Sequence, residues 1–283
     1  MTYTHPDSLV ETTWLAERLV APDIRILDCS YYLPNQTGDA RADYSDCHIP
    51  GAQFFDIDEI ADTASPLPHM LPSQELFASR MRKMGIGDGS KIICYDSKGM
   101  VFAARVWWTF RVFGHRDVAI LNGGLPKWLR EGRPTEARAP APRERHFTAR
   151  TDNTLVRDFD QVRANIASRT AIVLDARAPG RFQGHEPEPR AGLRSGHIPG
   201  SANLPYADLF DAKTGTILAA TSLREKFIAH GVTPARPVIT TCGSGISAAA
   251  LAFALHLIGH KDVAVYDGSW AEWGSRADAP IDV

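Results

Sequence analysis

The feature that most restricts the fold is that the chain repeats itself. Asp96 and Cys242 stand 146 positions apart, each directly after a short β-branched run. His115 and His260 are 145 apart, as are Trp128 and Trp273, while His48 and His197 open two His-Ile-Pro-Gly turns 149 apart. A single secondary-structure reading must therefore serve both halves. In the first, apolar spacing predicts a helix over 7–19 from Leu9, Trp14, Leu15 and Leu19, and β-rich runs predict strands at 24–28, 53–55, 91–95 and 118–121. A loop carrying Pro34, Asn35 and Gly38 follows the first strand. Helices are expected over 73–84, ended by Gly85, over 102–113 and over 125–130. The second half repeats the order: a helix at 158–166, strands at 171–175, 238–241 and 263–266, and a helix at 248–258. Another helix opens on a capping box at 222–225 and closes at Gly231. Strands alternating with helices give an α/β fold, each copy a mostly parallel sheet with helices on both faces. The domains are expected at 1–135 and 156–283. The linker at 136–155 overlaps the Pro-rich, aperiodic stretch 132–150 that holds Pro134, Pro140 and Pro142.

The chemistry concentrates between the strand at 238–241 and the helix that follows it. Residues 242–247 read Cys-Gly-Ser-Gly-Ile-Ser. Small residues there let the backbone curl so that several N–H groups face one point, with a helix N-terminus behind them. Such a cradle stabilises an anionic sulfur at Cys242. A free cysteine is otherwise most often a small buried apolar residue, but its place at a strand end before a Gly-x-Gly turn favours a nucleophile. A cysteine-dependent phosphatase needs an arginine six positions on to clamp phosphate in a bidentate grip. Ala248 stands there. In parallel α/β sheets ligands bind beyond the carboxyl ends of strands, where Cys242 falls. The first copy has Asp96 at that place. A carboxylate does not accept sulfur, so this copy is expected to be catalytically silent and to close a cleft over the second copy's loop.

Composition narrows the partners. A net charge of −2 gives no reason to expect nucleic acid or an acidic membrane surface. No apolar run approaches the roughly 20 residues of a membrane span, and the start of the chain shows neither the basic nor the apolar region of a signal peptide. The four cysteines, Cys29, Cys47, Cys94 and Cys242, form no Cys-x-x-Cys pair, so no metal site is expected, and in a cytoplasmic setting they stay reduced. Cys29 and Cys94 read as packing residues, as do Trp107, Trp108, Trp270 and Trp273. Arg143, Arg145 and His146 read as solvated.

Taken together, several motifs are similar to the tandem rhodanese-domain family, the thiosulfate and 3-mercaptopyruvate sulfurtransferases. They are His48-Ile-Pro-Gly-Ala, Phe54-Phe-Asp-Ile-Asp58, Arg105-Val-Trp-Trp108, Gly180-Arg-Phe182, Glu188-Pro-Arg190, Gly196-His-Ile-Pro-Gly200 and Tyr266-Asp-Gly-Ser-Trp270. The resemblance covers nearly the whole chain. Thiosulfate enzymes of the family commonly carry Cys-Arg-Lys-Gly, and mercaptopyruvate enzymes Cys-Gly-Ser-Gly-Val-Thr-Ala. The present loop resembles the latter, with Ile246 and Ser247 departing from Val and Thr by one methyl each.

The resemblance implies a Cys242 persulfide formed from 3-mercaptopyruvate with release of pyruvate, and no metal or organic cofactor. The outer sulfur would pass to a thiol acceptor such as thioredoxin or glutathione, or to cyanide. It also implies that Arg181 and Arg190 bind the substrate carboxylate. The residues alone leave these two open between a clamp and a pair of surface arginines. Ser244 is placed to donate a hydrogen bond to sulfur or to the substrate carbonyl, and Gly243 and Gly245 read as backbone requirements. Asp39 and His48 resemble the family's proton relay with the loop serine. Yet the recurrence of His48 as His197 argues that both cap a turn. A thiosulfate:cyanide sulfurtransferase and a non-catalytic persulfide carrier remain as alternatives.

Overall fold

The computed structural model describes residues 2–33 and 36–283, so Pro34 and Asn35 of the first expected loop lie outside the described residues. In the first half the chain runs β1 (Leu9–Val10), α1 (Thr12–Ala16), β2 (Ile24–Asp28), α2 (Ala40–Asp46), β3 (Ala52–Phe54) and α3 (Ile57–Ile60). It continues with α4 (Gln74–Lys83), β4 (Lys91–Tyr95), α5 (Val101–Val112), β5 (Val118–Leu121) and α6 (Gly124–Arg130). The second half runs β6 (Val156–Arg157), α7 (Phe159–Ser168), β7 (Ile172–Asp175), α8 (Pro179–Phe182), β8 (Ala202–Asn203) and α9 (Ala220–Ala229). It ends with β9 (Val238–Thr241), α10 (Ile246–Leu257), β10 (Val263–Tyr266) and α11 (Ser269–Trp273).

The strands form two five-stranded sheets, ordered β1-β5-β4-β2-β3 and β6-β10-β9-β7-β8, with every pairing parallel. The two orders are the same once the halves are superposed, which is the duplication made visible. It extends to single hydrogen bonds. Trp128 Nε1 donates to the carbonyl of Pro134 and Trp273 Nε1 to that of Pro280, at 2.7 and 2.8 Å. His115 Nε2 and His260 Nε2 sit against the carbonyls of Ser90 and Arg236 at 2.8 and 3.0 Å.

Each sheet is covered on both faces. The outer faces carry separate small cores, Leu15, Leu125 and Trp128 on one side of the molecule and Phe159, Trp270 and Trp273 on the other. The inner faces share one core, because α5 and α10 lie against each other between the sheets. Both helices are buried almost all round, and the alanines at 103, 104, 248, 249, 250, 252 and 254 let their backbones approach closely. Trp107 meets Phe253 edge-to-face across this contact, ring centroids 4.9 Å apart.

Two sequence expectations are corrected, and a third segment gains a contact. The segment expected as a helix over 7–19 breaks up, because Leu9 and Val10 pair in parallel with Ile120 and Leu121 as an edge strand, leaving α1 only five residues. The helix expected to open on Ser222 starts two residues earlier, with Ala219 as N-cap and no side-chain cap bond. The aperiodic stretch 132–150 has no helix, but it is not free of the core. Phe147 is buried among Phe77, Phe110 and His115, and the backbone of Arg150 bonds to the Phe113 carbonyl.

Candidate active site

Cys242 follows the last residue of β9 and is 2% exposed. Its carbonyl and that of Gly243 are taken by the N–H groups of Trp270 and Ala271 at the start of α11, at 2.9 and 2.8 Å. That turns the loop's carbonyls away from the sulfur side. No protein acceptor among the described residues takes the N–H groups of Gly243, Ser244 or Gly245. The twelve-residue α10 starts immediately after Gly245, and its N-terminal partial charge adds to the same field. Of the two glycines, Gly245 is the one the backbone requires, while Gly243 faces only the tip of a side chain. A Cβ on Gly243 would come within 2.9 Å of Arg181 Nη2, and one on Gly245, whose φ is +76°, within 2.8 Å of both Arg105 Nη1 and the Asp267 carbonyl.

The first half shows what such a loop does with a negative charge. Asp96, fully buried, accepts from the N–H groups of Lys98, Phe102 and Ala103, each at 2.8 Å, so its own carboxylate fills the cradle at the start of α5. Burial pushes its pKa up to about 6 even so. The cradle of the first half is thus filled from within by a side chain of its own.

A cavity of about 230 Å³ opens over the second loop. Cys242, Gly243, Ser244, Ile246 and Ser247 form its floor, with Arg177, Arg181, Arg190 and Tyr206 on the walls and Val101 and Phe102 contributed by the first half. Ser244 is buried. Arg181 donates to Glu188, and its Nε is a buried donor without a partner among the described residues. Glu188 also receives Arg177 at 2.7 Å, and Arg177 is held in turn by Asp175 and lies 4.2 Å from the centroid of the Trp270 ring. These buried pairs fix the wall to which Arg181 is anchored. Burial, and after it the neighbouring Asp96, push the Tyr206 phenol up from its ordinary value, so it stays a neutral donor.

The structure brings Cys242, Ser244, Arg181 and Arg190 to one cavity, but not Asp39 or His48. Asp39 is the N-cap of α2, accepting from the N–H groups of Arg41 and Ala42. His48 is fully buried, its Nδ1 2.6 Å from the Tyr44 carbonyl and its ring stacked on Tyr44 at 4.1 Å. His197 does the same with Phe182, at 2.9 Å and 3.9 Å. Each backbone also bridges to an extended partner, Glu136 and Asp282. Both histidines cap turns, as their repetition argued, and Asp39 and His48 lie away from the cavity that the resemblance would have them serve.

A different pair stands beside the site. His69, 5% exposed, has Nε2 3.1 Å from Nη2 of the wall residue Arg190 and Nδ1 2.7 Å from Asp58 Oδ1. The Nδ1–H is not aimed squarely at that oxygen, so the contact is close without being a regular hydrogen bond. Arginine only donates, so Nε2 is the accepting nitrogen and the proton sits on Nδ1 beside the carboxylate. Burial lowers the His69 pKa from its ordinary value against the opposing pull of Asp58, and its contact with His69 lowers that of Asp58. At neutral pH this is a neutral imidazole whose basic Nε2 accepts from Arg190 and whose Nδ1 stands beside a carboxylate. His69 lies between prolines at 68 and 72 in a stretch without periodicity, where no local rule marks a catalytic group. Asp58 ends the Phe54–Asp58 motif, which was the one available signal.

Comparison with known proteins agrees with this architecture. The Rhodanese-like domain family matches residues 11–131 and again 158–276. The human 3-mercaptopyruvate sulfurtransferase is 42% identical over 282 residues, covering 98% of this chain and 94% of the human protein. The thiosulfate sulfurtransferase of Bos taurus is 44% identical over 277 residues, covering 95% and 93%. The crystal structure of SseA from Escherichia coli, described as a 3-mercaptopyruvate sulfotransferase, superposes with a TM-score of 0.85 at 38% identity, covering 93% of this chain and 98% of that one. With two matched domains, two five-stranded parallel sheets and relatives of this closeness along nearly its whole length, the chain belongs to the tandem rhodanese-domain sulfurtransferase family.

Proposed function

We propose that this enzyme takes sulfur from 3-mercaptopyruvate onto Cys242 as a persulfide, releases pyruvate, and passes the outer sulfur to a thiol such as thioredoxin or glutathione, or to cyanide. The observation that carries the reading is that Cys242, Ser244, Arg181 and Arg190 line one cavity, while residues 243–247 include no cation. The positive charge stands on the wall, suited to a carboxylate whose carbon is three bonds from the reacting sulfur. A loop of main-chain amides holds a singly charged sulfur and gives a dianion less.

The electrons and protons balance without a cofactor. The Cys242 thiolate attacks the donor sulfur, an S–S bond forms, the C3–S bond breaks, and its electron pair goes to C3 as the enolate of pyruvate. The proton of the donor thiol ends on C3, leaving Cys–S–S⁻ and pyruvate. Neutral His69, oriented by Asp58, is the base that takes this proton, and Ser244 is the hydroxyl through which it returns. Arg181 and Arg190 hold the carboxylate, and the amides of residues 243–245 stabilise the sulfur anion before and after transfer. In this reading the catalytic half is 156–283 and the half at 1–135 supplies His69 and Asp58. The four free cysteines fit a cytoplasmic setting.

The test is direct. Cys242→Ser is expected to abolish pyruvate release, and wild type incubated with 3-mercaptopyruvate to gain one sulfur by mass spectrometry. Pyruvate turnover by the serine variant overturns the proposal. Relatives named as thiosulfate sulfurtransferases make thiosulfate the competing donor. A kcat/KM higher for thiosulfate than for 3-mercaptopyruvate decides for that reading.

A further inference from the structure

Arg105 lies in α5 of the half without the nucleophile and is 3% exposed. Its guanidinium is nevertheless bound into the second half's loop. Nη1 donates to Asp267 Oδ1 at 2.7 Å and to the Gly245 carbonyl at 3.2 Å, while Nη2 donates to the carbonyl of His69. The group lies over the Trp108 ring, 4.5 Å from its centroid. The other oxygen of Asp267 accepts from the N–H of Leu71 at 2.8 Å. One buried ion pair thus ties three pieces of backbone together: the segment carrying His69, the turn that follows Ser244, and the residue after β10. The planar fork of arginine reaches all three acceptors at once; the point charge of a lysine does not. A buried pair of this kind adds little net stability once desolvation is counted, so its consequence here is geometric.

We propose that Arg105, with Asp267, is a positioning residue that sets His69 against Ser244 and Cys242 across the junction of the two halves. The proposal rests on the proton relay of the preceding section and adds to it the group that holds the relay in place. It has a chemical signature. Persulfide formation from 3-mercaptopyruvate moves a proton from the donor thiol to C3. Formation from thiosulfate moves none: the S–S bond to Cys242 forms, the bond to the sulfonate sulfur breaks, and sulfite leaves with the electron pair. Loss of relay geometry therefore slows the first donor selectively, whereas a loop that is merely loosened slows both.

The experiment measures single-turnover persulfide formation with each donor in wild type, Arg105→Lys, Asp267→Asn and His69→Asn, with near-ultraviolet circular dichroism confirming the fold. Arg105→Lys is expected to slow 3-mercaptopyruvate at least about tenfold more than thiosulfate, as part of the hundredfold or larger effect a general base carries. Asp267→Asn, which keeps the shape and one acceptor oxygen, is expected to show the same donor bias more weakly; it decides the matter if Arg105→Lys does not fold. Equal slowing of both donors, or no slowing, in the folded variants overturns the role of Arg105. If His69→Asn itself shows no donor bias, the relay has failed instead, a result separate from the first because it appears in a variant that leaves Arg105 untouched.

Discussion

His69 carries the sharpest test at the scale of a single residue. Burial lowers its pKa below the ordinary 6.5, and the neutral form is the proposed base. As pH falls, activity is lost only when the imidazole protonates, so the acid limb of kcat/KM for 3-mercaptopyruvate is expected below pH 6.5. His69→Asn is expected to remove that limb together with most of the rate. An acid limb at or above 6.5, or one unchanged in the variant, argues against His69 as the base. The residues legible in the sequence were those fixed by their neighbours in the chain: Cys242 at the end of β9, Ser244 and the two glycines in the turn, and Arg181 and Arg190 in the motifs around them. The repeat marked His48 as a turn cap, as the structure has it, but nothing marked His69, which sits in an irregular proline-rich strap. A histidine capping a turn is locally determined; one aimed at a distant cavity is not.

Elements followed local pattern where they are interior and escaped it at the edges. The strands β4, β5, β9 and β10 fall where the β-rich runs placed them, because each is buried on both faces and reads as continuous apolar sequence. The two-residue strands β1, β6 and β8 were invisible. Leu9 and Val10 belong to a sheet only because β5 offers them an open edge. Helix α9 shows the same limit, since a plausible cap at Ser222 yields to a start at Ala220. Helices α5 and α10 are the elements on which the site depends: their N-termini carry the two loops, and their contact sets the distance between them. Phe253, 1% exposed against Trp107, is central to that contact. Phe253→Ala is expected to destabilise the fold by about 3–5 kcal/mol, measured by denaturant titration. A loss below about 1 kcal/mol would mean that the α5–α10 contact does not hold the halves together.

At the scale of the whole molecule, the halves are repeats in sequence but share their largest core. The largest cluster runs from Leu27 and Phe77 through α5 and α10 to Leu174 and Val265. Arg105, Asp267 and Leu71 add polar ties across the same junction. Unfolding of one half exposes the inner face of the other, so scanning calorimetry is expected to show one cooperative transition for the intact chain. Two resolved transitions would show that each half is stable alone and that the shared core contributes little.

By itself the sequence determined the repeat, the α/β character of each copy, the strand that presents Cys242, and the absence of a nucleophile where Asp96 stands. All of these are written in short-range periodicity and in the composition of one turn. Tertiary structure decided which groups of the first half are held against the loop and wall of the second half's cavity. His69 lies 173 positions before Cys242 and Arg105 lies 137 before it, and no interaction between near neighbours in the chain relates them. Their meeting follows from how two apolar helices dock, and docking depends on the summed shape of both faces and not on any local run of residues.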